Sequence, residues 1–105
     1  MKLKVMEKHD GEGAFPLFTK GTVVSDLIDC EESSHWCSCV INGHETYIPE
    51  TYVVDKILVK DYNPTELVVE KGQAVILIEV VFEWLYVKDE NGKSGWLPAN
   101  KVISI

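Results

Sequence analysis

Arginine is missing from this chain altogether, and lysine is scarce beside the acids. Of 105 residues, ten are Lys and seventeen are Asp or Glu, for a net charge of −7. Binding nucleic acid by counterion release needs clustered Lys and Arg on one surface, so no nucleic-acid partner is expected. Long apolar runs are missing too. No stretch reaches the ~18 residues a membrane-spanning helix needs, and no membrane partner is expected. The opening Met1-Lys2-Leu3-Lys4-Val5 has basic residues without an apolar core or a small-residue cleavage site, so it does not read as a signal peptide. Cysteine is limited to Cys30, Cys37 and Cys39. Cys37 and Cys39 sit too close on one strand to bridge easily, their side chains ~6–7 Å apart. A reducing, cytoplasmic compartment is the expectation. Helical periodicity is absent over any two turns.

What is present is a pattern that occurs twice. Residues 36–53 carry Trp36, a short strand, Asn42-Gly43, a second strand, then Tyr47-Ile48-Pro49 and a closing Val53. Residues 84–102 carry Trp84, a strand, Asn91-Gly92, a second strand, then Trp96-Leu97-Pro98 and Val102. Upstream, Thr19-Lys20-Gly21-Thr22-Val23-Val24 matches Glu70-Lys71-Gly72-Gln73-Ala74-Val75. The offset is about fifty residues, one supersecondary unit or one very small domain. The hydrophobic fraction of 46% is that of a globular chain. A unit of this size buries only roughly 60% of its unfolded surface and gains from packing on a neighbour.

Each Asn-Gly pair predicts a two-residue hairpin, because both central positions of that turn need positive φ. Pro49 and Pro98 each predict a single 3₁₀ turn. Tyr52-Val53-Val54 runs through Asp55-Lys56 into Ile57-Leu58-Val59 without Gly, Ser or Pro. A stiff connection between halves 1–54 and 55–105 is therefore expected. In residues 75–81, Ile76, Ile78 and Val80 alternate with Val75, Leu77 and Val81. Two apolar faces predict burial on both sides, the second against the first half.

The second half resembles the Src-homology-3 (SH3) domain. Leu58-Val59-Lys60-Asp61-Tyr62 stands where the family has Ala-Leu-Tyr-Asp-Tyr. Glu66-Leu67-Val68-Val69-Glu70-Lys71-Gly72 is similar to Glu-Leu-Ser-Phe-x-x-Gly, and Gly95-Trp96-Leu97-Pro98-Ala99-Asn100-Lys101-Val102 to Gly-Tyr-Ile-Pro-Ser-Asn-Tyr-Val. The first half matches from Thr19 to Val53. The resemblance implies an all-β chain of two tandem SH3-like barrels, closely packed, and a non-enzymatic module that binds an extended proline-rich or basic segment in an aromatic groove.

Carried over residue by residue, the groove of the second half comprises Tyr62, Trp84, Pro98 and Asn100, with Lys60 and Lys101 in place of two tyrosines. The groove of the first half comprises Trp36, Pro49 and Tyr52. Glu12, Glu31 and Glu32 flank it and suit a Lys- or Arg-bearing peptide. The first-half groove is the better peptide site by charge and by Tyr52. Tyr47 and Trp96 are expected to pack. Two alternatives stay open: a structural or oligomerisation subunit with its grooves buried between domains, and a bacterial cell-wall-binding SH3-like repeat. Cys30, His35, Cys37, Cys39 and His44 lie close in sequence but lack the repeated Cys-x₂₋₄-Cys pairs of structural zinc. No metal, cofactor or catalytic residue is expected. Oligomeric state is not legible.

Overall fold

The computed structural model describes residues 1–11, 14–28 and 35–105. Among these residues the regular structure is all β, with two single 3₁₀ turns. Among the described residues, no helix is long and apolar enough to cross a membrane. The strands are β1 (Lys2–Val5), β2 (Val24–Ser25), β3 (Trp36–Ile41), β4 (His44–Pro49), β5 (Val53–Val54), β6 (Ile57–Leu58), β7 (Ala74–Val81), β8 (Trp84–Lys88), β9 (Ser94–Pro98) and β10 (Val102–Ser104). The 3₁₀ turns, Glu50–Tyr52 and Ala99–Lys101, start after Pro49 and Pro98, whose φ of −62° is the value the proline ring imposes.

Two compact units form, and one is discontinuous in sequence. Unit 1 combines Met1–Ala14 with Thr65–Ile105; unit 2 is Phe15–Pro64. The boundary expected at 54/55 lies elsewhere, for a local reason. Asp55 and Lys56 adopt φ of 50° and 64° and close a two-residue hairpin, so β6 turns back onto β5. The segment read as a stiff connector is an internal turn of unit 2. Leu58 is buried there, and its N–H donates to the Thr22 carbonyl at 2.9 Å.

With residues 55–64 held in unit 2, the first strand of unit 1 comes from the N-terminus. β1 alternates Lys and apolar residues at the period of a strand, burying Leu3 and Val5 and exposing Lys2 and Lys4. It lies between β10 and β7, antiparallel to both, in an open five-stranded sheet of order β10-β1-β7-β8-β9. Leu3 and Val5 join Leu67, Val69, Val75, Leu85, Val87 and Leu97 in one core. Each such side chain contributes ~1.5–3 kcal/mol on burial. The chain then leaves and returns through two facing arms. His9 and Val69 exchange backbone hydrogen bonds of 3.0 Å, so unit 2 is inserted between the arms. In unit 2, Phe18 and Tyr62 exchange the corresponding pair at 2.8 Å. The rest of unit 2 is an open β2-β3-β4 sheet and the β5-β6 ribbon.

The Asn42-Gly43 hairpin forms as expected, with φ of 48° and 82°. Asn91-Gly92 does not make a two-residue turn. The Asp89 carboxylate accepts the N–H groups of Asn91 and Lys93, both at 2.9 Å, and widens the loop so that only Gly92 of the pair has positive φ. β7 keeps its expected alternation, with Ile76, Ile78 and Val80 on one side and Val75, Leu77 and Val81 on the other, in spite of an irregular register. Its register against β8 shifts between Leu77 and Glu79, so Ile76 faces Lys88 while Val80 faces Leu85. The expected second buried face is not formed: Ile76 is 54%, Ile78 53% and Val80 60% exposed.

Candidate functional site

Both Trp–Pro pairs assemble. Trp36 pairs with Pro49 across β3–β4, and Trp84 with Pro98 across β8–β9. Each proline is followed directly by its 3₁₀ turn, which carries Tyr52 in unit 2 and Asn100 in unit 1. The repeat therefore builds the same corner twice.

The two corners differ in what they leave open. In unit 2, Tyr52 is 5% and Tyr62 2% exposed, and Pro49 is fully buried. The Tyr52 and Tyr62 rings meet edge to face at 5.5 Å. The Tyr62 hydroxyl donates to the Tyr47 carbonyl, and the Lys60 ammonium sits 4.5 Å over the Tyr52 ring. An edge-to-face pair with its hydroxyl satisfied is a packing arrangement, so these tyrosines offer almost no surface to a ligand. Trp36 is half-buried, beside a hydrogen bond between His35 Nδ1 and Glu50 Oε1 at 2.8 Å. Glu12, Glu31 and Glu32, expected to flank this groove, lie outside the described residues, as does Cys30.

Tyr62 was expected beside Trp84. It lies in unit 2 with Tyr52, because the residues around it stay with β6. Its place in unit 1 is taken by the N-terminal arm. The His9 ring is buried and meets the Trp84 indole edge to face at 6.1 Å. Lys101 Nζ donates to the Lys8 carbonyl at 3.3 Å and reaches His9 Nδ1 at 3.5 Å. Since Nδ1 accepts from an ammonium, the network assigns the hydrogen to Nε2, which donates to Glu66 Oε1 at 3.0 Å. Trp84 is half-buried, as Trp36 is; Pro98 is half-buried too, and Asn100 is exposed. The acids Asp10 and Glu83 are exposed on the same unit.

His9 escaped the sequence reading because its partners are 57 and 92 residues away. Only Gly11 hinted at the contact: a Cβ there would lie 2.1 Å from the Glu66 carbonyl oxygen. Gly95 has the same role on the other side, where a Cβ would lie 2.9 Å from the Thr65 carbonyl oxygen. Both glycines let the 65–67 segment approach.

Trp96 packs as expected, buried with its ring centroid 4.9 Å from that of Tyr86, but Tyr47 is exposed. Among the described residues, no group of three or more His, Cys, Asp or Glu side chains could hold a metal ion. Cys37 is disulfide-bonded, contrary to the thiol expected of it, and such bonds persist in oxidising compartments. Cys39 is a buried free thiol, its pKa pushed up from 9.0 to about 11 by burial. Compared with known proteins, the chain matches no family model, no curated protein and no solved structure.

Proposed function

We propose that the chain is a non-enzymatic binding module of two small SH3-like barrels, and that unit 1 holds an extended proline-rich or basic segment against Trp84, Pro98 and Asn100. The observation that carries this reading is the difference between the two corners. Trp36 and Trp84 are half-buried alike, but Pro98 and Lys101 keep open surface where their counterparts Pro49 and Tyr52 are buried, and Asn100 is exposed. This moves the preferred groove from the first repeat to the second. An indole face beside a proline suits the preset polyproline helix, which loses little entropy on binding. Glu66, Glu83 and Asp10 favour a Lys- or Arg-bearing ligand. A single small groove of this kind binds at about micromolar strength. The inserted arrangement supports the barrel reading as well, since the N-terminal strand and arm supply what residues 65–105 lack.

The test is an amide and indole chemical-shift titration of the full chain with Lys/Arg-flanked proline-rich peptides. Shifts at the Trp84 indole and Asn100, abolished in Trp84→Ala, are expected. No shift at millimolar peptide, or shifts confined to Trp36 and Tyr52, would remove the assignment.

The Cys37 disulfide favours a second reading, in which the module works outside the cytoplasm as a cell-surface binder of the bacterial SH3-like type. Recovering the native product only from the cytoplasm, with Cys37 reduced, would exclude it.

A further inference from the structure

In each unit, the strand after the 3₁₀ turn pairs with an incoming strand, and exposed apolar side chains lie on the outward side around that pair. In unit 1 these strands are β10 and β1. Across them and β7, Lys4 faces Ile103 and Lys2 faces Ile76, which in turn faces Lys88; the Ile105 N–H donates to the Lys2 carbonyl. Ile76, Ile103 and Ile105 are 54%, 51% and 73% exposed, interleaved with exposed Lys2, Lys4 and Lys88. Glu90 is the exposed acid at the margin, and Asp89 is engaged in its own loop.

In unit 2 the corresponding strands are β5 and β6. Val54 faces Ile57, and Ile57 faces Val23. These are 57%, 44% and 64% exposed. Asp55 lies in the turn between Val54 and Ile57, with Lys56 beside it, and Asp26 follows β2. Unit 2 carries three Lys and eight acids, and unit 1 seven Lys and nine acids, so most of the −7 resides on unit 2.

We propose that the lysine-framed apolar face of unit 1 docks onto the aspartate-framed apolar face of unit 2 in a second copy of this chain. The apolar side chains supply burial, since exposed sheet faces of this kind mark interaction sites. The charges select the pairing: unit 1 against unit 1 would oppose Lys2, Lys4 and Lys88, whereas in unit 2 Asp26 and Asp55 outnumber the exposed Lys56. Each chain presents one face of each kind. A reciprocal pair closes as a dimer, and a non-reciprocal one grows as a chain of copies. The association does not depend on the Trp84 corner.

The test is sedimentation velocity over micromolar to millimolar protein with two surface variants, Lys2→Glu/Lys4→Glu and Asp26→Lys/Asp55→Lys. All four positions are exposed, and amide spectra verify that both variants fold. The wild type is expected to associate with rising concentration, and less so at high salt. Each variant alone opposes like charges and is expected to stay monomeric. An equimolar mixture makes both contacts complementary again, Glu against Lys and Lys against Asp, and is expected to associate as the wild type does. A wild type that is monomeric at millimolar concentration overturns the proposal. So do variants that associate by themselves, and so does a mixture that stays monomeric.

Discussion

Replacing Val5 by alanine separates the inserted architecture from a simple tandem. Val5 is fully buried, its N–H donates to the Gln73 carbonyl, and it belongs to the core of residues 65–105. The change removes two carbons, ~0.8 kcal/mol each in transfer free energy. A partly relaxed cavity raises the total to about 2–3 kcal/mol. The assay is native-state amide exchange, where ~1.4 kcal/mol is tenfold, so the affected amides should exchange about 30- to 150-fold faster. Acceleration is expected at Val75, Val87 and Leu97, in the partners of β1 and beyond. Val24→Ala is the mirror control: Val24 is fully buried in unit 2, and its loss should act first on Cys39, Ile41 and Ile48. A contiguous first domain of residues 1–54 makes the opposite demand on Val5. Acceleration at residues 36–49 with residues 74–98 unchanged would refute the strand insertion.

Other perturbations have defined signs. Lys56→Gly should raise the urea midpoint. A left-handed L-residue costs ~1–2 kcal/mol, while glycine loosens the unfolded chain by about 0.4–1 kcal/mol, leaving a net gain of about 0.5–1 kcal/mol at φ 64°. Gly11→Ala should destabilise by about 1–3 kcal/mol, because the 2.1 Å approach meets backbone, and it should move the His9 and Trp84 ring resonances. Cys39 gives a pH signature. Its folded pKa of about 11 lies above the ordinary 9.0, so its contribution is complete below pH 9 and fades as pH rises toward 11. The stability of wild type relative to Cys39→Val should therefore fall over that window by roughly 1–3 kcal/mol, read from urea unfolding at each pH. In denaturant without reductant, an alkylating reagent should label Cys39 and leave Cys37 blocked, and adding reductant should release Cys37.

Much of the local structure was legible because it depends on neighbours in sequence. The repeated Trp…Asn-Gly…Pro frame is written at strand period, and Pro49 and Pro98 set their 3₁₀ turns through their own φ. Asn42-Gly43 prefers the positive φ its hairpin requires. These features made the chain all β and gave both units a Trp–Pro corner.

Other features belong to the tertiary structure. Asp55-Lys56 lacks the glycine that marks a two-residue hairpin in sequence, and closes one because β5 and β6 pair on both sides of it. That one reversal keeps Tyr62 with Tyr52 and leaves the edge of residues 65–105 to β1. The alternation of residues 75–81 survives the register shift after Leu77, but the face of Ile76, Ile78 and Val80 is left uncovered. His9 meets Glu66, Trp84 and Lys101 only through this insertion. Sequence by itself determined which segments are strands, since backbone preference and side-chain period act over a few residues. Which strands complete which unit, and which aromatic corner stays open, was decided by the competition of distant strands for the same edges and the same core, a quantity no local window contains.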